Sequence, residues 1–320
     1  MTASPTARIA VLAGGRSPER DISLRSGHRV ASALADLPQY DTVILDPADV
    51  PLVEGIAAGS FDACYLALHG KEGEDGTVQR LLDLVGVAYT GTLGFACEVA
   101  FDKVLAKDVL FSAGVRTPAW VVIEAAALRD LGAGAALGRV TDRVGFPVVV
   151  KPARSGSALG VAFVEREADL ATAIMGALSY SEAVVVERKV EGTEIAAGIV
   201  GSPAEALPLI EIEPKSGVYD YASRYTAGAT EYYAPARVAP EVASAVAGEA
   251  MRSMEALGLR DVARVDLMVD RAGTPWVLEV NVSPGMTETS LLPMAAKAAG
   301  HSLSDLCDRV VRAALGRARS

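Results

Sequence analysis

The chain has 320 residues, is 51% hydrophobic and 22% charged, and carries a formal net charge of -10. That length suits two or three packed domains, and the acidity argues against a general nucleic-acid surface. Cys64, Cys97 and Cys307 form neither a metal-ligand spacing nor a disulfide framework, and the N-terminus lacks a basic start followed by a long apolar stretch. No run approaches membrane length, so a cytoplasmic protein with no membrane partner is expected.

RIAVLAGG reads as a short buried strand ending in glycines, and Ser26 to Leu37 has helical spacing. DTVILD and FDACYLALHG are further strands, and VQRLLDLVG is a helix. This alternation predicts a parallel sheet covered on both faces, as far as Gly94. The loop LAGGRSPERDISLRSG does not match G-x-G-x-x-G, which removes the dinucleotide fingerprint. His69 follows the third strand in a Gly-rich acidic loop, at the carboxyl edge where open α/β sheets bind ligands. It is therefore a candidate site residue.

FACEVAFDKVLAKDVLFSAGV predicts one helix with Lys103 and Lys107 a turn apart, a spacing most often found on a solvated face. AWVVI is a strand, and LRDLGAGAALGRVTDRVG is partly helical. FPVVVKPA, VAFVE and AVVVERKV predict strands around the Gly-rich SGSALG. Lys151 closes the first of these; Gly156 and Gly160 would let the backbone approach a phosphate, although a simple turn also fits and the Walker order is absent. Glu187 and Glu194 flank a strand boundary, either as surface acids or as acceptors for an adenine amino group and ribose hydroxyls. GTEIAAGIV and ALPLIEIEP are strands, KSGVYDYASRYTAGATEYY is polar, and a helix runs from Glu241 to Leu257. The expected domains are 1–95, 96–186 and 187–320.

RVDLMVDRAGTPWVLEVN, residues 264 to 281, predicts a hairpin. Pairing Asp270 with Pro275 sets Asp266 opposite Glu279 and Arg264 opposite Asn281, all on one face. Val265, Leu267, Val269, Trp276, Leu278 and Val280 then form an apolar opposite face. Two facing carboxylates repel unless a positive charge lies between them. That charge is either Arg264, paired with Glu279 or Asp266, or a hard cation such as Mg²⁺, which takes oxygen ligands. The following SPGMTETS offers backbone N–H and hydroxyl donors for anionic ligands and favours the metal.

Taken together, GGRSPERDISLRSG, ALHGKEGEDGTVQ, YTGT, FDKVLAK, FPVVVKPARSGSALGV, VVERKVEGTE, YDYASRY, ARVDLMV and LEVNVSPGMTETSLLPMAA resemble the D-alanine–D-alanine ligases of the ATP-grasp superfamily, in the family's order and over nearly the whole chain. The resemblance implies a three-domain α/β ATP-grasp fold with a parallel-sheet N-terminal domain. It implies that ATP phosphorylates the carboxylate of one D-alanine and that the amine of a second attacks the acyl phosphate, for peptidoglycan precursor synthesis. By motif, Glu19 would hold the first substrate's ammonium and His69 would lie near its carboxylate. Lys103, Lys151 and Arg224 would meet ATP phosphates, and Glu187 and Glu194 its adenine and ribose. Asp266, Glu279 and Asn281 would bind two Mg²⁺ ions, or Mn²⁺. Arg264 and the backbone N–H of Gly285 would stabilise the oxyanion, and Ser290 would grip the second carboxylate. Glu19, Ser157 and Tyr225 would form the trio that latches a loop over the site, and a homodimer is implied.

Three positions depart from the family pattern. Arg224 stands where YDYxxKY has lysine, Ala158 replaces the second serine of GSS, and Ser155 stands where an acidic residue is common. Arg224 keeps the charge but alters its reach. These departures leave room for a specialised ligase of other D-amino acids. Tyr225, a position often Phe in members that accept D-lactate, implies dipeptide rather than depsipeptide synthesis.

Overall fold

The computed structural model describes residues 6–217, 219, 223–224, 226 and 228–318. Its first sheet comes from β1 (Ala7–Leu12), β2 (Tyr40–Leu45), β3 (Ala63–Leu66) and β4 (Ala88–Tyr89), interleaved with α1 (Arg20–Ala35), α2 (Leu52–Gly59) and α3 (Thr77–Val85). The strands are parallel in the order β2-β1-β3-β4, as the alternating pattern predicts. Ile9, Ala10, Val11 and Leu12 are fully buried, the unbroken apolar run of a strand covered on both faces. Helix α1 starts at Arg20, well before the expected Ser26. Its first buried positions are Ser23 and Ser26, so hydrophobic periodicity registers only from later turns. The helix lies against the end of β1 because position 27 is glycine: a Cβ there would stand 2.2 Å from that of Ala13.

The single helix expected from FACEVAFDKVLAKDVLFSAGV is two, α4 (Gly94–Phe101) and α5 (Lys103–Ser112). Asp102 breaks it. Its backbone is extended and its carboxylate accepts from the N–H groups of Val104 and Leu105, an N-cap that begins a new helix. The break sets Lys103 at the first position of α5, where its N–H donates to the Ala153 carbonyl.

The second sheet is antiparallel, in the order β5-β8-β6-β7, from β5 (Trp120–Glu124), β6 (Val148–Pro152), β7 (Ala162–Val164) and β8 (Ala183–Arg188). Helices α6 (Ala125–Asp130), α7 (Arg139–Val144) and α8 (Leu170–Leu178) accompany it; α8 is an addition to the sequence expectation. This unit has its own core of Val148, Val150, Ile174, Val184 and Val186.

The third sheet has the order β12-β11-β9-β13-β14, with β10 pairing β9. It is built from β9 (Gly192–Gly201), β10 (Glu205–Ala206), β11 (Ile210–Pro214), β12 (Thr230–Tyr233), β13 (Asp261–Asp270) and β14 (Pro275–Asn281). Helix α9 (Pro240–Ala256) lies where expected, and α10 (Leu291–Ala298) and α11 (Leu303–Ala318) complete the chain. Cys97, Ala106 and Leu110 of α4 and α5 share one core with Val246, Val265, Leu267 and Val277. Another core joins Ile9 and Val11 of the first sheet to Ile210, Leu292 and Val310. The first and third sheets are thus fused through apolar packing, and the second and third part between Arg188 and Gly192.

Candidate functional site

Strands β13 and β14 pair antiparallel with Arg264 opposite Asn281 and Asp266 opposite Glu279, the register expected at those positions. The turn differs. Val269, not Asp270, faces Pro275, and a bulge between Asp266 and Leu267 absorbs the one-residue difference. Asp270 instead organises the loop: its carboxylate accepts from the N–H groups of Ala272 and Thr274 and from the Trp276 indole. The bulge also corrects the apolar face. Val277 is fully buried opposite Leu267, whereas Leu278 lines the clefts and Trp276, opposite Met268, is only half-buried.

Two adjoining clefts meet along this ribbon. One, of about 340 Å³, is lined by Lys151, Glu187, Glu194 and Asp266. The other is lined by Glu19, His69, Ser157, Arg264, Asn281, Gly285 and Ser290. Lys103, Arg224 and Glu279 line both. Every candidate from the sequence therefore borders one cleft or both except Tyr225, which lies outside the described residues.

At the shared wall, Glu279 stands 3.8 Å from the Lys103 ammonium and 3.9 Å from the Arg224 guanidinium. Burial works against its charge, but Lys103, Arg224, Lys151 and Arg264 outweigh it and hold the carboxyl at about 2. Lys103 also donates to the Ser155 carbonyl at 2.8 Å, and burial lowers the pKa of its ammonium. The Arg224 guanidinium lies 4.6 Å from the Tyr219 ring centre, and its Nε is buried without a hydrogen-bond partner among the described residues. Arg264 grips Asp266 bidentately at 2.7 and 2.8 Å. Asn281 accepts from the Ser283 N–H at 2.9 Å.

In the larger cleft, Glu187 is an ion-pair hub. Its carboxylate meets Lys151, and Lys107 at 3.0 Å. Burial raises its pKa, but the two ammonium groups prevail and hold it below the usual range. Lys107, expected on a solvated face, is instead buried, donating to Thr117 and to the Pro118 carbonyl and stacking on Trp120. Glu194 has no such hub. Burial raises it to about 7, with Asp266 and Glu279 adding to the rise and Arg224 opposing it.

In the smaller cleft, Ser157 donates to Glu19, whose carboxylate fits between two glycines. A Cβ on Gly70 would stand 2.2 Å, and one on Gly156 2.8 Å, from Glu19 Oε2. Ser157 and Ala158 both have positive φ, 49° and 58°, so the loop takes a strained conformation to bring that hydroxyl in. Burial and neighbouring Glu74 raise the Glu19 pKa, against Ser157, His69 and Arg224. His69 faces the buried Glu74 at 3.6 Å and Ser26 at 3.0 Å. Gly285 lies against Ser290, whose hydroxyl accepts from the Thr287 N–H at 2.9 Å. Glu74, Ser26 and Tyr219 are residues the sequence reading passed over. All three lie inside motifs quoted above, Glu74 as the fourth residue of KEGEDG, five positions after His69.

A four-stranded parallel sheet fused to a third sheet that opposes a separately cored second one, with cations and carboxylates between them, is the ATP-grasp architecture. Residues 51–92 match the family described as D-ala D-ala ligase N-terminus and residues 109–312 that described as D-ala D-ala ligase C-terminus. A D-alanine–D-alanine ligase from Desulforamulus reducens is 42% identical over 309 residues, 96% of this chain and 98% of the relative. The crystal structure of D-alanine–D-alanine ligase from Bacillus anthracis superposes with a TM-score of 0.83 at 32% identity, covering 98% of this chain and 99% of that one. The structure of that enzyme complexed with ATP gives 0.82 at 31% identity, with the same coverage. The chain belongs to the D-alanine–D-alanine ligase family and is a ligase enzyme.

Proposed function

We propose that the protein joins two D-alanines in an ATP- and Mg²⁺-dependent reaction, through a D-alanyl phosphate, to supply a peptidoglycan precursor. The observation that carries this reading is the convergence of Lys103, Arg224 and Glu279 on the wall shared by the two clefts. A phosphoryl group passing from a nucleotide in one cleft to a carboxylate in the other has to cross that wall.

Phosphoryl transfer is chiefly positioning and charge neutralisation. Lys103, Lys151 and Arg224 supply the positive charge, and the buried Nε of Arg224, without a partner among the described residues, suits a phosphate oxygen. Glu194 would serve the ribose. Glu187 would serve the adenine, while its ion pairs to Lys151 and Lys107 hold those ammonium groups in place. The donors Asp266, Glu279 and Asn281 suit a hard divalent cation: all offer oxygen, they share one face in register, and Glu279 is ionised with no cation closer than 3.8 Å among the described residues; Asp266, whose two oxygens Arg264 holds here, would be shared between that guanidinium and the ion. Two Mg²⁺ ions there, or Mn²⁺, would supply charge compensation for the transferring phosphoryl group.

Glu19 would receive the first D-alanine's ammonium, with His69 near its carboxylate. Once the acyl phosphate forms, the second amine attacks, and the oxyanion meets the Arg264 guanidinium and the Gly285 N–H. Ser290 would hold the second carboxylate. Ser157, Glu19 and Tyr225 would latch the 215–233 segment over the acyl phosphate and exclude water. Tyr225 favours D-alanine over D-lactate as second substrate. A cytoplasmic location and a homodimer go with this role; Leu84 on α3 and Leu93 and Phe95 at the start of α4 are exposed apolar residues suited to a subunit contact.

The test is ADP release with D-alanine alone, with D-alanine plus D-lactate, with other D-amino acids and with L-alanine. Release that requires both D-alanine and Mg²⁺ supports the reading. Faster turnover with D-lactate, or release only with another D-amino acid, contradicts it.

A further inference from the structure

A buried polar relay behind His69, of which the proposed reaction uses only the imidazole, starts on α1. Ser26 is fully buried, and its hydroxyl touches two groups from distant parts of the chain. His69 Nε2 lies 3.0 Å away, and the Met286 N–H donates to the same oxygen at 3.1 Å. His69 follows β3, and Met286 directly follows Gly285. One hydroxyl therefore ties the loop beside the first proposed substrate to the segment that carries the proposed oxyanion donor.

We propose that Ser26 is a positioning residue that fixes His69 in its Nδ1–H tautomer and anchors the 285–290 segment. This inference rests on the ligase reading for the value of that positioning, though its structural core does not.

The argument is one of donors and acceptors. A serine hydroxyl has one proton to give and two lone pairs. The Met286 N–H can only donate, so it occupies a lone pair of Ser26. Among the described residues the sole acceptor for the Ser26 proton is His69 Nε2. If Nε2 carried a proton, that buried hydroxyl would be left with nothing to donate to, which buried polar groups avoid. Nε2 is therefore the acceptor, and in the neutral ring the proton resides on Nδ1. Nδ1 faces the buried Glu74 carboxylate at 3.6 Å, which favours a proton on that side as well.

Helix α1 reinforces the tie from the next turn. Arg29 donates to the Met286 carbonyl and lies 3.3 Å from Glu288. The N–H and C=O of Met286 are thus both held by α1, and Gly285 beside it inherits that position.

The chain has three histidines, so the imidazole nitrogens of a ¹⁵N-histidine-labelled protein are resolvable by NMR. The full-length wild type is expected to show one histidine, assigned to His69 by its loss in His69→Asn, in the Nδ1–H form. Ser26→Ala, a favourable change in helix propensity, is expected to remain folded while the His69 signal moves toward the other tautomer or a mixture. With D-alanine, Ser26→Ala is expected to lose about 10-fold in kcat/KM, the scale of one hydrogen bond. Ser26→Thr, which keeps the hydroxyl, should recover the tautomer. An Nε2–H form in the wild type, or a Ser26→Ala protein with unchanged His69 signal and unchanged kinetics, would overturn the proposal. The tautomer readout needs no turnover, so it stands or falls separately from the ligase reading.

Discussion

Glu279→Gln keeps the shape of the side chain and removes its charge from the wall between the two clefts. The magnitude follows from the ionisation state. Glu279 titrates at about 2 against an ordinary 4.5, a preference for the charged form worth about 3 kcal/mol. Because the folded-state value is the lower one, this stability is present above 4.5 and is lost as pH falls toward about 2. At neutral pH the variant should thus unfold with about 3 kcal/mol less free energy, leaving Lys103 and Arg224 without their shared anion. A typical domain has about 5–15 kcal/mol in hand, so it stays folded. Turnover should fall far more, on the order of 10³-fold, if Glu279 holds a divalent ion at the transferring phosphoryl group. Urea unfolding and ADP release on the same preparation separate the two effects. Wild-type turnover in a destabilised variant would refute the metal assignment and leave Glu279 as a structural counter-charge.

Other substitutions probe neighbouring links. Glu194, raised to about 7, makes the folded state less stable as pH climbs from 4.5 through 7; Glu194→Gln should flatten that decline in denaturation curves taken on either side of the window. Glu19 is also raised, so its ionised form opposes folding at neutral pH, and Glu19→Gln should raise the melting temperature while weakening D-alanine binding in KM. Gly156→Ala places a Cβ 2.8 Å from Glu19 Oε2 and should raise KM for D-alanine with little change in stability. Gly27→Ala, which sets a Cβ 2.2 Å from that of Ala13, should cost about 1–3 kcal/mol in unfolding free energy and shift β1 and α1 apart.

How much of this was legible in the sequence depends on the kind of signal. The ribbon's polar face was readable because alternation along a strand is geometry, and the register at Asp266 and Glu279 is as expected. The turn was not, because a one-residue bulge has no glycine or proline to announce it here, and it moved Trp276 and Leu278 off the core. The split at Asp102 did carry a sign, an aspartate ahead of a new helical turn, masked by apolar spacing that runs through it. Lys107 was unreadable: a buried lysine looks like a surface lysine until its partner Glu187, far along the chain, is brought beside it. The same holds for Ser26, whose partners at 69 and 286 meet only in the fold. Most candidate residues were found through the ordered motifs; apart from the ribbon's two pairs, the relations among them required coordinates.

The claim on which the account depends is that the β13–β14 ribbon holds divalent ions where the two clefts meet. Anomalous diffraction from crystals grown with ATP, D-alanine and Mn²⁺ tests it directly. Peaks within coordination distance of Asp266, Glu279 and Asn281 oxygens, beside the terminal phosphates, are the predicted result. Mn²⁺ bound to the nucleotide but away from these side chains, with Arg264 still gripping Asp266 and Glu279 facing only Lys103 and Arg224, would contradict it.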